Sequence, residues 1–273
     1  MLRKSVCQLL AILTFFTLSL PAFGNIKYKL RSRGTSFTVH LPDNFSPEKQ
    51  YPVVVSLHGW VTPSILHSSY IPFKDHVNKK QFILIEPRTS STFLTGMNLN
   101  MPGRIIDGVI KKLKSERGNK RRLSGKSIDW TRLYLSGHSA GGRASYIYAS
   151  SRNNVAGMVI LAGDGSGADL SGVTDIYTKP KQPTGLIHIH GTFDYIVPHM
   201  GGKEVYKAYR KHNGCKGETS SRKGRVTVKQ GTDCKRPTYL YSIFGEDHYI
   251  FLNRYKIADE IIDKLLSMTL YEG

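Results

Sequence analysis

The chain has 273 residues, 40% of them hydrophobic, and 39 Lys and Arg against 20 Asp and Glu, for a formal net charge of +19. This composition supplies one large core and excludes a collagen, a coiled coil or a disordered chain. The positive field suits acidic partners, yet no zinc-finger spacing, RNP-like aromatic motif or heptad-linked basic region accompanies it. Nucleic acid is therefore not an expected partner, and the charge runs read as a solvated surface.

From the N-terminus, Arg3 and Lys4 precede an apolar run from Leu9 to Leu20, then Pro21 and the small residues of Ala22-Phe23-Gly24. This is the layout of a secretory signal peptide over residues 1–24, with cleavage near Gly24/Asn25. The run is shorter than the roughly 20 apolar residues of a spanning helix, so no stable membrane span is expected. The mature domain is then 25–273, secreted or periplasmic. Removal of Cys7 with the leader leaves Cys215 and Cys234, a disulfide pair in an oxidising compartment.

Short apolar runs follow in order: "SFTVHLP", "YPVVVSLHG", "QFILIEP", "RLYLSG", "VAGMVILAG", "GLIHIHG" and "TYLYSIFG". They are β-rich and end at glycine or proline. Between them, Ile105, Ile106, Val109, Ile110 and Leu113 share a helical face, as do Ile257, Ala258, Ile261, Ile262, Leu265 and Leu266. Strands alternating with helices predict an α/β fold with a mostly parallel central sheet flanked by helices. The opening strands, near Lys27 to Leu41, are expected as an antiparallel edge. One domain is expected, with no separate lid or substrate-adsorption domain.

Gly137-His138-Ser139-Ala140-Gly141 is a G-x-S-x-G pentapeptide between a strand and a helical segment. Small flanking residues let the chain close a strained turn that projects the serine hydroxyl at a helix N-terminus, where the N–H of Ala140 faces an oxyanion. A hydroxyl needs a base, and the base an orienting acid. His248 follows the last strand and is the base. Three aspartates compete as acid: Asp164 after "MVILAG", Asp194 after "LIHIHG", and Asp247 beside the histidine. Asp194 has the best position, in a loop between His190-Gly191 and Pro198. Asp164 also reads as a polar turn, and Asp247 is too close in sequence to converge on the imidazole. The second oxyanion donor is expected at Trp60, in the early "LHGW" loop, with His58 bracing that loop. His188 and His190 share one strand face and read as packing residues, His190 holding the acid loop, rather than as metal ligands.

These motifs resemble exported α/β-hydrolase esterases related to polyhydroxybutyrate depolymerases and feruloyl esterases. The resemblance runs from about Tyr28 to the final helix and rests on "SLHGW", "GHSAGG", "HGTFDYIVP", "HNGC" and "GTDCKRPTYLYSIFGEDH". It implies the α/β-hydrolase fold, the triad Ser139, Asp194 and His248, a Cys215–Cys234 disulfide, and no metal or organic cofactor. Glu246-Asp247 before His248 and Tyr249-Ile250 after it depart from the family's usual glycine-rich and tryptophan-proline flanks. The expected substrate is a small or oligomeric carboxylic ester (short-chain, hydroxyacyl or aromatic/feruloyl), and the charge suits an anionic one. A serine peptidase of the prolyl-oligopeptidase type shares such a triad but usually adds an access-limiting domain. A non-catalytic basic surface-binding protein would show a damaged triad.

Overall fold

The structure, a computed structural model, describes residues 26–32, 35–60, 64–88, 100–117, 123–163 and 179–273. The leader reading and Asp164 lie outside the described residues. Among the described residues, ten strands form one sheet: β1 Ile26–Ser32, β2 Thr35–Leu41, β3 Tyr51–Leu57, β4 Ile83–Arg88, β5 Ile128–His138, β6 Gly157–Leu161, β7 Gly185–Gly191, β8 Gly217–Lys223, β9 Val226–Thr232 and β10 Thr238–Ile243. Their order is β1-β2-β4-β3-β5-β6-β7-β10-β9-β8. The six central strands, β4 to β10 in that order, are parallel, and the outer pairs are antiparallel. The expected antiparallel opening edge is present.

Helices α1 Ser64–Tyr70, α2 Phe73–Lys80, α3 Asn100–Ser115, α4 Ala140–Ser151, α5 His199–His212 and α6 Ala258–Leu266 accompany the strands. Alternation along the strands divides the core between two faces. Val53 and Val55 of β3, with Leu133 and Leu135 of β5, pack with Ile106, Val109 and Leu113 of α3, Ala144 of α4 and Val205 of α5. Val54 and Tyr134 face the other way, with Phe73 and Val77 of α2 and Ile261, Ile262 and Leu265 of α6. Both sheet faces are thus covered, which explains why the central strands read as continuous apolar runs. Tyr134 also donates its hydroxyl hydrogen bonds to the carbonyls of Leu266 and Met268, tying the C-terminal segment to the sheet.

Sequence reading missed the β8–β9 hairpin, taking "SRKGRVTVK" only as a charge run. Its first strand is exposed from end to end apart from Gly217 and carries no apolar alternation. Tertiary pairing supplies the missing signal: β9 docks on β10, and Gly224, at φ 57°, opens a two-residue turn as the primed hairpin turns require. Disulfide Cys215–Cys234 closes the opposite end of this hairpin. Asn213, just before it, is buried and bonds Thr184 on the approach to β7 and Thr238 of β10.

Candidate active site

The carboxyl ends of β3, β5, β7 and β10 carry Trp60, Ser139, Asp194 and His248. The strand order reverses between β3 and β5, the crevice where open α/β sheets build their sites. Ser139 stands between β5 and α4 with φ 53° and ψ −119°. A non-glycine residue at positive φ is strained, and Ser139 holds that strain at the turn from strand to helix. The surrounding glycines are required by space. A β-carbon on Gly137 would collide with the backbone of Gly141, and one on Gly141 with the carbonyls of Leu57 and His58. The same crowding seats the turn directly against the end of β3, so Ala140 and the loop leading to Trp60 are neighbours. The N–H of Ser139 is taken by Leu161 O (2.9 Å), whereas Ala140 opens α4, where N–H groups lack intrahelical acceptors.

Asp194 and His248 meet directly. The Nδ1–H of His248 donates to Asp194 Oδ2 at 2.8 Å, with both residues buried. Asp194 Oδ1 accepts the N–H groups of Ile196 (2.9 Å) and Val197 (2.8 Å), so the turn itself aims the carboxylate. Burial alone would raise the Asp194 pKa. Hydrogen bonds from His190, His248 and the Val197 N–H outweigh it and hold the carboxyl well below the usual range. The competing Asp247 accepts the N–H of Tyr249 at 2.8 Å, a local turn bond.

His190 holds the Asp194 loop. Its Nε2 lies 3.1 Å from Asp194 Oδ2 and 2.9 Å from Val197 O, and both of these atoms only accept. Nε2 therefore carries the proton. His190 Nδ1 lies 2.9 Å from His188 Nε2, and His188 Nδ1 lies 2.6 Å from the Tyr146 hydroxyl. Burial first, then the neighbouring His190 and His199, keeps His188 neutral far below its ordinary pKa. Gly202 of α5 leaves room for this pair, since a β-carbon there would lie 2.5 Å from His188 Nε2 and 2.7 Å from His190 Nδ1. His58, also buried, bonds its own loop through Nδ1 and Gly59 O at 2.8 Å.

Sequence reading overlooked His138, the variable residue before Ser139. Its Nε2–H donates to His248 O at 2.9 Å, and the two rings lie 4.8 Å apart. Burial, followed by electrostatic interaction with the neighbouring His248, lowers its pKa to about 4. The residue next to the serine thus holds the histidine loop as a neutral ring. Tyr70 packs on His138 and on Tyr249, at centroid distances of 5.0 and 5.9 Å. Around this buried network the surface is apolar: Trp60, Phe193, Tyr195, Phe244 and Tyr249 are all exposed, and Phe193 and Phe244 contact edge to face.

The ordered sheet and the serine turn at its reversal point define an α/β-hydrolase fold. Among solved structures it resembles acetyl xylan esterase from Aspergillus awamori (TM-score 0.64, 13% identity, covering 88% of this chain and 98% of that one). It also resembles a thermostable esterase (TM-score 0.59, 15% identity, 91% and 64%). In sequence it is similar to the probable feruloyl esterase C of Aspergillus terreus, 22% identical over 78% of this chain and 76% of that protein. The bifunctional acetylxylan esterase/xylanase XynS20E of Neocallimastix patriciarum is 23% identical over 69% of this chain, which spans only 26% of that longer protein. No family model matches.

Proposed function

We propose that the protein is an exported serine esterase, whose leader, residues 1–24, is removed from a catalytic domain at 25–273. The observation that carries this reading is the Asp194–His248 hydrogen bond beside a serine turn at φ 53°. Because Nδ1 of His248 is held by Asp194, Nε2 is the nitrogen that takes the Ser139 proton as Oγ attacks the ester carbonyl. The tetrahedral oxyanion is stabilised by the N–H groups of Trp60 and Ala140. His248 then returns its proton to the leaving alcohol, and water releases the acyl group by the same route in reverse. No metal or organic cofactor enters these steps.

The acetylxylan and feruloyl esters in the relatives' names, and the exposed aromatic residues around the site, favour an acetyl or feruloyl ester as substrate. The disulfide supports an oxidising, exported location. The test is a fluorophosphonate probe together with a panel of short-chain, hydroxyacyl, aryl and feruloyl esters. The probe is expected to label the wild type once, at Ser139, and Ser139→Ala is expected to lose both the label and turnover. Labelling that survives the substitution would place the nucleophile elsewhere.

A further inference from the structure

A concavity lies beside the β8–β9 hairpin, bounded by the turn of that hairpin, the 3-10 segment Leu252–Tyr255 and the start of α6. Its volume is about 420 Å³, within the roughly 300–1,000 Å³ of small-molecule sites. Four cations line it: Lys223, Arg225, Arg254 and Lys256. Its apolar wall includes Val226, Ile257 and the rings of Tyr241 and Tyr255. The one lining carboxylate, Glu260, is already engaged by Lys264 Nζ and the Tyr241 hydroxyl, each at 2.6 Å, and also feels Lys223. Arg225 and Arg254 share Glu246: Arg225 Nη1 lies 3.6 Å from its carboxylate, and Arg254 Nη1 donates to both of its oxygens at 3.4 Å. Lys223 and Lys256 are exposed and form no ion pair among the described residues.

Four cations against the carboxylates of Glu246 and Glu260 leave an excess of positive charge over an apolar wall, which complements an anion that carries an organic body. Two features separate this from a generally basic surface. The charges border one concavity, and Lys223 and Lys256 form no ion pair among the described residues. The geometry points to a binding site for an organic polyanion about the size of a charged disaccharide, held by Lys223, Arg225, Arg254 and Lys256. The site borders the loop of His248: Arg225 Nε donates to Phe244 O at 2.8 Å, and Glu246 precedes the histidine by two residues. A bound anion therefore sits next to that loop. The inference stands on charge and shape, independently of the ester chemistry.

The experiment is calorimetric titration of the full mature protein with digalacturonate at low salt, with maltose as the neutral control. Digalacturonate is expected to bind and maltose not to. Lys223→Gln/Lys256→Gln, which disturbs no ion pair, is expected to weaken binding at least about tenfold, or about 1.4 kcal/mol. Lys207→Gln/Lys211→Gln removes the same charge from the exposed face of α5 and is expected to change it less than about twofold. Equal loss in both double variants, or no binding by the wild type, would overturn the site. Sulfate displacing digalacturonate at equal molarity would overturn the requirement for an organic body. Because the readout is binding, it holds or fails separately from ester turnover.

Discussion

Asp194 accepts four hydrogen bonds, two from backbone N–H groups on Oδ1 and two from imidazoles on Oδ2. This division makes Asp194→Asn an informative change. The amide oxygen can keep both backbone bonds, so the turn survives. The amide nitrogen would then face two N–H groups, those of His190 and His248. His248 relieves the clash by moving its proton to Nε2, where it can no longer accept from Ser139. The expected result is a loss on the order of 10⁴ in kcat with the circular dichroism spectrum retained. Near-normal turnover in this variant would remove Asp194 from the acid role and return attention to Asp164.

At the scale of the element, the β8–β9 hairpin joins the rest of the sheet through β9 only, while Arg210 of α5 holds the start of β8 at Gly217 and Glu218. Its outer strand is exposed, its cations discourage pairing with another chain, and its open end is closed by Cys215–Cys234. Gly231 lies against this bridge, where a β-carbon would stand 2.7 Å from Cys215 Sγ. With 19 residues separating the cysteines, the chain-entropy account gives a stabilisation of about 3 kcal/mol. Cys215→Ser/Cys234→Ser is accordingly expected to lower the unfolding free energy by about that amount in denaturant titration. Hydrogen exchange should quicken in β8 and β9 before the central strands. Two free thiols in protein recovered from an oxidising compartment would contradict the bridge.

The whole molecule keeps several histidines neutral by burial. Burial is the leading cause in each: His67 is lowered to about 3, His138 and His199 to about 4, and His188 well below its ordinary value of 6.5. Unfolding returns these rings to water, where they take up protons below about pH 6.5. Between the folded and unfolded values the unfolded chain binds more protons, so stability is full above pH 6.5 and is lost as pH falls. The melting temperature is expected to decline from near pH 6.5, by on the order of 10 °C by pH 5, ahead of the carboxylate range. A melting temperature flat down to pH 4.5 would show that these rings do not control acid stability.

Local signals determined much of this protein by themselves. The apolar runs and helical faces marked the central strands, α3 and α6, and the small residues about Ser139 marked the turn, because each reflects backbone sterics or burial over a few consecutive residues. Asp194 and His248 were legible from chain order and from their positions after strands. Tertiary structure alone decided what depends on contacts between distant segments. It paired His248 with Asp194 rather than with the adjacent Asp247, whose carboxylate is used by its own turn. It set His138 under the histidine loop, and it turned a run of lysines and arginines into a hairpin and the wall of a basic concavity. Hydrogen bonds and charge convergence act through space, and residues 110 positions apart in the chain, such as His138 and His248, carry no local pattern that announces their contact.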